Sequence, residues 1–82
     1  MAESKEEQAR LIRQKTKQAI SLAMDGRWKE AVETNQEITA EFPADVDAWN
    51  RLGRANMEMG NIQQARDAYT RISNAPPAAI SP

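Results

Sequence analysis

Apolar residues recur at steps of three and four residues in four stretches of the chain, and this spacing predicts four amphipathic helices. The later stretches have the clearest pattern: Trp49 and Leu52 share one face of the third, and Ala65, Tyr69 and Ile72 share one face of the fourth. The predicted helices cover, in approximate bounds, residues 4–24, 28–41, 45–59 and 62–74.

The boundaries between these stretches carry residues that start or end helices. Gly26 and Gly60 follow the first and third stretches, and glycine adopts the backbone conformation of a helix C-terminus without strain. Pro43 follows the second stretch, and proline cannot continue a helix. Ser4 and Glu7 have the spacing of a capping box before the first helix. Because the connections are short, we expect consecutive helices to fold back on each other as hairpins.

The chain matches itself when it is shifted by about 34 residues. The matches fall at the turn between paired helices, at the expected helix contact and at the terminating proline. They pair Gly26 with Gly60, Ala31 with Ala65, Ile38 with Ile72 and Pro43 with Pro77. Since these are the positions that helix packing constrains most, the sequence predicts two tandem repeats.

The order Trp49-x2-Leu52-Gly53, then Ala65-x3-Tyr69, then Pro77 resembles a tetratricopeptide repeat (TPR). The resemblance implies an all-α fold of tandem helix–turn–helix hairpins, with four antiparallel helices in a right-handed α-solenoid fragment. In that family, small residues such as Gly53 and Ala65 lie where the paired helices touch. The implied division of the chain is a helical N-terminal extension (1–11), repeat 1 (12–45), repeat 2 (46–77) and a frayed tail (78–82).

The same resemblance implies a non-catalytic protein–protein interaction module. In TPR proteins, the first helix of each repeat lines a concave groove that receives an extended peptide or a partner helix. The groove residues implied here are Arg13, Thr16, Lys17, Ile20 and Met24 from the first helix, and Asn50, Arg54 and Met57 from the third. Arg51 and Arg54 have the spacing to clamp a carboxylate, so the expected partner is a protein or peptide with acidic groups. The alternative is that these cations are ordinary solvated charges.

Composition narrows the function classes. Eleven basic and twelve acidic side chains among 82 residues leave a net charge of −1, so no overall field draws the chain to nucleic acid or a membrane. The chain has no cysteine and no histidine, which removes thiolate metal sites and the commonest general base. We therefore expect no enzyme and no cofactor. With no apolar run long enough for a membrane span and no signal peptide pattern, the expected location is cytoplasmic.

Four glutamates and three aromatic residues admit two interpretations each. Glu30, Glu33, Glu37 and Glu41 recur at helical steps, which favours one solvated helix face over a metal or acid–base site. Trp28, Trp49 and Tyr69 have the spacing of residues between helices, which favours core packing over ligand stacking.

Two asparagines replace large inward residues of the family pattern. Asn35 stands in the second helix where Tyr69 stands in the fourth, and Asn56 takes a usual tyrosine position in the third. Neighbouring helices could bring the two amides together to share a hydrogen bond or a water. Alternatively, one or both face solvent.

Two repeats are fewer than such arrays usually need, so the second interpretation is a structural self-assembly unit, natural, excised or engineered. Exposed apolar surface on the last hairpin predicts a twofold homodimer or an exchange of helices between two chains, with self-association residues Ala65, Ala68, Tyr69 and Ile72. The alternative is a marginal monomer held together by its long first helix. A third class, RNA or phosphate binding by the basic first helix, is disfavoured by the near-neutral total charge and by the lack of exposed aromatic platforms.

Overall fold

A computed structural model describes residues 4–73 of the chain. They form four helices and no strand: α1 (Lys5–Met24), α2 (Trp28–Glu41), α3 (Val46–Glu58) and α4 (Ile62–Ser73). The all-α fold and all four helices predicted from the sequence are confirmed. The predicted terminator Pro77 and the predicted tail lie outside the described residues.

Side-chain caps fix the beginning of two helices. The Ser4 hydroxyl accepts a hydrogen bond from the Glu7 backbone N–H at 3.1 Å, as the capping-box pattern predicts. The Asp45 carboxylate accepts one from the Ala48 N–H at 3.0 Å and so begins α3. Each cap satisfies a backbone donor that has no partner inside its helix.

The two glycine turns have the same geometry. Gly26 and Gly60 have φ angles of +74° and +79°, in the left-handed region that glycine adopts without strain. After each glycine the chain donates back to the helix: Arg27 N–H to the Leu22 carbonyl at 2.9 Å, and Asn61 N–H to the Asn56 carbonyl at 2.8 Å. These bonds close the same helix-ending motif in α1 and α3.

The helices pack as a layered series in which α1 contacts α2, α2 contacts α3 and α3 contacts α4. A further contact joins α1 to α3, so the first helices of the two hairpins lie side by side. One core cluster contains Ala19, Ile38 and Ala48 with Ile12 against it, and the other contains Leu22, Ala31 and Ala55 with Trp28 and Val32 against it. Because four of the six buried members of these clusters are alanines, the helix backbones approach closely.

Gly53 and Ala65 occupy the contact between α3 and α4. Gly53 is buried, and a Cβ atom placed on it would lie 2.6 Å from Cε1 of the Tyr69 ring. Ala65 has no exposed surface. The predicted role of the two small residues at this helix contact is confirmed, since any larger side chain at residue 53 would displace the Tyr69 ring.

The acidic stripe of α2 faces solvent. Lys15 reaches from α1 to Glu37 at 3.4 Å and to Glu41 at 3.6 Å, and Arg27 pairs with Glu30 at 2.7 Å. The side chains of Glu37 and Glu41 are each 60% exposed. These are surface ion pairs between a helix face and its neighbours, each contributing about 0–1 kcal/mol to stability.

The two inward asparagines are both buried, and their side-chain oxygens accept hydrogen bonds from different partners. Asn35 and Asn56 are only 1% and 3% exposed, so neither faces solvent, and they do not bond to each other. The Asn35 amide N–H donates to the Ala31 carbonyl at 2.9 Å, and its oxygen accepts from Arg51 Nε at 3.0 Å. The Asn56 oxygen accepts from the Asn61 amide at 3.3 Å. Each asparagine therefore has its own side-chain partner: Asn35 bonds to Arg51 of the neighbouring helix α3, and Asn56 bonds to Asn61 in the turn before α4.

Trp49 is half-buried at the other end of α3. Its indole N–H donates to the Pro43 carbonyl at 2.8 Å, which ties α3 to the connection between α2 and α3. The Arg71 guanidinium of α4 lies 5.4 Å from the centre of the Trp49 ring, within cation–π distance. Trp49 thus joins α4 to α3, as core packing between helices predicts.

Candidate functional site

A cleft of about 520 Å³ opens between the last turns of α1 and the helices α3 and α4. Its lining comes from all four helices: Ile20, Ala23, Met24, Trp28, Asn50, Arg51, Arg54 and Tyr69. The volume lies in the range of sites that bind ligands or short peptide segments.

Apolar side chains form one part of the cleft. Ile20 is 44% exposed and Met24 is 82% exposed, although both belong to the helix whose Ala19 and Leu22 are buried in the core. Single exposed apolar residues are common on protein surfaces. Here they converge with Trp28 and Tyr69 around one concavity.

A polar wall on α3 faces this apolar part. Asn50, Arg51 and Arg54 follow one another within a turn or so and line the cleft together. Arg54 is exposed, whereas Arg51 is half-buried and its Nε is bonded to Asn35. None of the ion pairs among residues 4–73 involves either arginine. The wall therefore presents two positive charges that no described carboxylate neutralises.

The structure brings together four of the residues predicted for the groove. Ile20, Met24, Asn50 and Arg54 all line the cleft. Met57, 49% exposed, instead lines an adjoining cleft of about 410 Å³ together with Ile62, Arg66, Tyr69 and Thr70. The remaining predicted residues, Arg13, Thr16 and Lys17, lie on earlier turns of α1 and line neither cleft.

Trp28 and Tyr69 have a part in the cleft that the sequence pattern does not predict. Trp28 packs against the Leu22–Ala31–Ala55 cluster, as predicted, but it also lines the cleft. Tyr69 lies against Gly53 and borders both clefts, with 37% of its surface exposed. One sequence signal points to the tyrosine: a glycine inside a helix marks a place where a large neighbouring ring can cross close to the backbone.

The residues predicted for self-association do not share one environment. Ala65 and Ala68 are 0% and 2% exposed on the helix that packs on α3, so a second copy cannot reach them in this conformation. The exposed apolar groups of the α3–α4 hairpin are instead Met57, Ile62 and Tyr69, which surround the second cleft. Ile72 is half-buried.

Of the helices in residues 4–73, none combines the length and the apolar character needed to cross a membrane.

Comparison with known proteins gives one match. No curated protein sequence and no solved structure matches the chain. The sequence model described as tetratricopeptide repeat matches residues 22–80, well over half of the chain and all of α2, α3 and α4. With its paired helices, its shared glycine turns and this match, the chain belongs to the tetratricopeptide repeat family.

Proposed function

We propose that this protein is a non-catalytic interaction module that binds a peptide or a helix of another protein in the 520 Å³ cleft. Tetratricopeptide repeats generally mediate protein–protein interactions. The observation that carries the proposal is the convergence of Ile20, Met24, Trp28 and Tyr69 around one concavity opposite a polar wall. Apolar side chains of a partner would gain burial there, while Asn50 and the arginines would bond its backbone or polar groups.

The lining suits a segment with one or two large apolar side chains. Met24 is flexible and almost fully exposed, so it can adapt to partners of different shape. Trp28 and Tyr69 supply rigid apolar surface, of the kind that often dominates binding energy at interfaces. Binding by apolar anchors with a few polar contacts is the usual way in which a groove selects a helix or an extended peptide.

Blocking the cleft tests the proposal. Peptides of twelve random residues are selected by display on the immobilised protein, and the affinity of the best sequences is measured by fluorescence anisotropy. The variant Ile20→Arg places a charge in the cleft, and Leu11→Arg is its control, because Leu11 lies on the same helix, is 41% exposed and is outside the cleft. We expect Ile20→Arg to weaken binding by at least tenfold and Leu11→Arg to leave it unchanged. Equal effects of the two substitutions would contradict binding in the cleft.

A second candidate function is self-assembly, and the second cleft favours it. Met57 and Ile62 are each 49% exposed and border a 410 Å³ concavity with Tyr69. Burying a few hundred square ångströms of such surface gains about 25 cal/mol per Å², which helps to offset the cost of association. We propose a twofold homodimer in which Ile62 of each copy enters this concavity of the other, since closed isologous dimers are the commonest assembly.

Sedimentation equilibrium at tens of micromolar separates the two candidates. The dimer predicts a mass above the 9.2 kDa of one chain and a return to that mass in Ile62→Glu. Val46→Glu is the control, because Val46 is 41% exposed at the start of α3, where it borders neither cleft. A single 9.2 kDa species with an unfolding midpoint independent of concentration excludes the homodimer.

A further inference from the structure

The methionines of residues 4–73 all reach the surface, and they do so to different degrees. Met24 is 82% exposed, Met57 is 49% exposed and Met59 is 41% exposed. Because the chain has no cysteine, its oxidisable sulfur atoms belong to its methionines. Oxidation of an accessible thioether to the sulfoxide changes a flexible apolar side chain into a polar one. Solvent access therefore makes Met24 the most reactive of the three.

Met24 lies at a position that the packing of the helices does not use. It is the last residue of α1 and belongs to neither core cluster. The shift of about 34 residues that matches Gly26 with Gly60 places Met24 on Glu58, which is also exposed. The position thus faces solvent in both repeats and carries a charged side chain in the second. A polar group at residue 24 is therefore compatible with the fold.

The same side chain is part of the proposed binding surface. Met24 lines the 520 Å³ cleft together with Ile20 and Trp28, so a bound segment covers its thioether. Met57 lines the second cleft instead, and Met59 lines neither. Among the methionines of residues 4–73, Met24 thus combines the greatest exposure with a place in the first cleft.

From this combination we infer that Met24 is an oxidation site that switches the cleft between a binding form and a weakly binding form. The inference deepens the proposed function and rests on it. Hydrogen peroxide transfers one oxygen atom to the Met24 sulfur, its O–O bond breaks and water leaves, so the sulfur is oxidised and the peroxide is reduced. A methionine sulfoxide reductase returns the thioether: the oxygen leaves as water, and a pair of thiols is oxidised to a disulfide.

The sulfoxide changes what the cleft can bind. Its oxygen accepts hydrogen bonds from water, and an apolar side chain of the bound segment would displace that water without replacing the bonds. The apolar contact with the thioether is lost at the same time. Because the core residues of α1, Ala19 and Leu22, are buried elsewhere on the helix, the change acts on binding and leaves the fold intact.

The first measurement is the rate of oxidation at each methionine of the full chain in hydrogen peroxide. Trypsin cleaves after Lys and Arg, so Met24 lies alone in the peptide 18–27. Met57 and Met59 share the peptide 55–66, in which fragment ions in mass spectrometry distinguish them. N-Acetylmethionine amide in the same solution gives the rate of a fully accessible thioether. We expect Met24 to react nearly as fast as this compound, and Met57 and Met59 to react more slowly.

The second measurement is the affinity of the cleft before and after oxidation. The probe is the tightest-binding peptide selected by display that contains no methionine, and its binding is followed by fluorescence anisotropy after catalase has removed the peroxide. Oxidation should weaken binding to the wild type by about tenfold, the loss expected when one polar group is buried without a partner. Treatment with the reductases for both sulfoxide epimers should restore the original affinity.

Substitutions assign the effect to residue 24. Met24→Leu has no sulfur at this position, so its affinities before and after peroxide should agree within about twofold, whatever its starting affinity. Met24→Gln places a polar group of similar length there and should weaken binding about tenfold without any oxidant. Met59→Leu is the matched control: Met59 is exposed but lines neither cleft, so this variant should stay as sensitive to peroxide as the wild type. Circular dichroism of each sample checks that the helical content is unchanged.

The outcomes separate the switch from the proposed function. Oxidation of Met24 no faster than that of Met59 overturns the inference, and so does unchanged binding after complete oxidation of Met24. A loss of affinity in peroxide-treated Met24→Leu equal to that of the wild type also overturns it. In each of these cases, peptides that still require Ile20 leave the cleft as the binding site. If no peptide binds in an Ile20-dependent way, both proposals are wrong.

Discussion

The close contact between Gly53 and Tyr69 predicts that Gly53→Ala destabilises the protein when Tyr69 is present and stabilises it when Tyr69 is replaced by alanine. A Cβ atom on residue 53 would lie 2.6 Å from Cε1 and 2.7 Å from Cζ of the Tyr69 ring. Carbon atoms in contact normally lie about 3.5–4.0 Å apart, so the ring must move by about 1 Å in Gly53→Ala. Such overpacking costs about 1–3 kcal/mol. Alanine in a helix regains about 0.5–1 kcal/mol over glycine.

The net expectation is that Gly53→Ala lowers the free energy of unfolding by about 0.5–2 kcal/mol. For a domain of this size, each kcal/mol corresponds to about 4–8 °C in the melting temperature. In the Tyr69→Ala background the clash is absent, so the same substitution should instead stabilise by about 0.5–1 kcal/mol. Urea unfolding followed by circular dichroism, on the wild type and the three variants, measures both effects.

Gly60→Ala, made with and without Tyr69, is the control for these substitutions. Gly60 has φ of +79°, and a Cβ atom placed on it would have no neighbour within 4 Å, so Gly60→Ala is strained by its backbone and not by a neighbour. It should destabilise by about 1–2 kcal/mol with and without Tyr69. If Gly53→Ala is equally destabilising in both backgrounds, or stabilises the wild type, the helix contact is not limited by the Tyr69 ring.

Three further substitutions test separate parts of the fold by thermal or urea unfolding. Asn56→Leu should lower the free energy of unfolding by about 1–2 kcal/mol, because the Asn61 amide loses its acceptor; a higher melting temperature would show that the polar contact is dispensable. Asp45→Ala should cost about 1 kcal/mol through loss of the α3 cap, whereas Asp45→Asn should cost little, and equal losses would argue against capping. Ile38→Ala, at a fully buried position, should cost about 2–5 kcal/mol, and a loss no larger than that of exposed Leu11→Ala would contradict the core assignment.

The helices could be predicted from the sequence because their limits are set locally. Gly26 and Gly60 end their helices through their own backbone conformation, and Ser4 and Asp45 cap theirs through a residue three positions away. Such signals lie within one turn and do not depend on how the helices are arranged. The internal repeat also predicts where paired helices touch, because its matched small residues fall at the expected helix contacts.

The site could be predicted only in part because its lining depends on the spacing and tilt of the helices. The family resemblance placed Ile20, Met24, Asn50 and Arg54 on the correct side of α1 and α3. It did not indicate that Tyr69, on α4, stays partly exposed and borders the cleft. Whether a residue between helices is covered depends on how far the helices diverge, which no local pattern specifies.

The support of Arg51 by Asn35 could not be predicted from the sequence either. The two residues are sixteen positions apart on different helices, and their bond depends on the side-chain directions of both. Periodicity identified Asn35 as an inward polar residue that needs a partner. The predicted partner of Asn35 is Asn56, whereas the structure pairs it with Arg51. The pattern shows which residues face inward but not which inward residues meet.

The central claim, that the cleft between α1, α3 and α4 is the binding surface, is tested most directly by mapping a bound peptide on the protein. Amide chemical shifts in ¹H–¹⁵N correlation spectra are followed while the tightest-binding peptide selected by display is titrated into the full chain. The account predicts that the largest shifts cluster at Ile20–Met24 and at Asn50–Arg54, with the Trp28 indole signal moving in parallel. Shifts confined to the acidic face of α2, or spread evenly over the four helices, would contradict it.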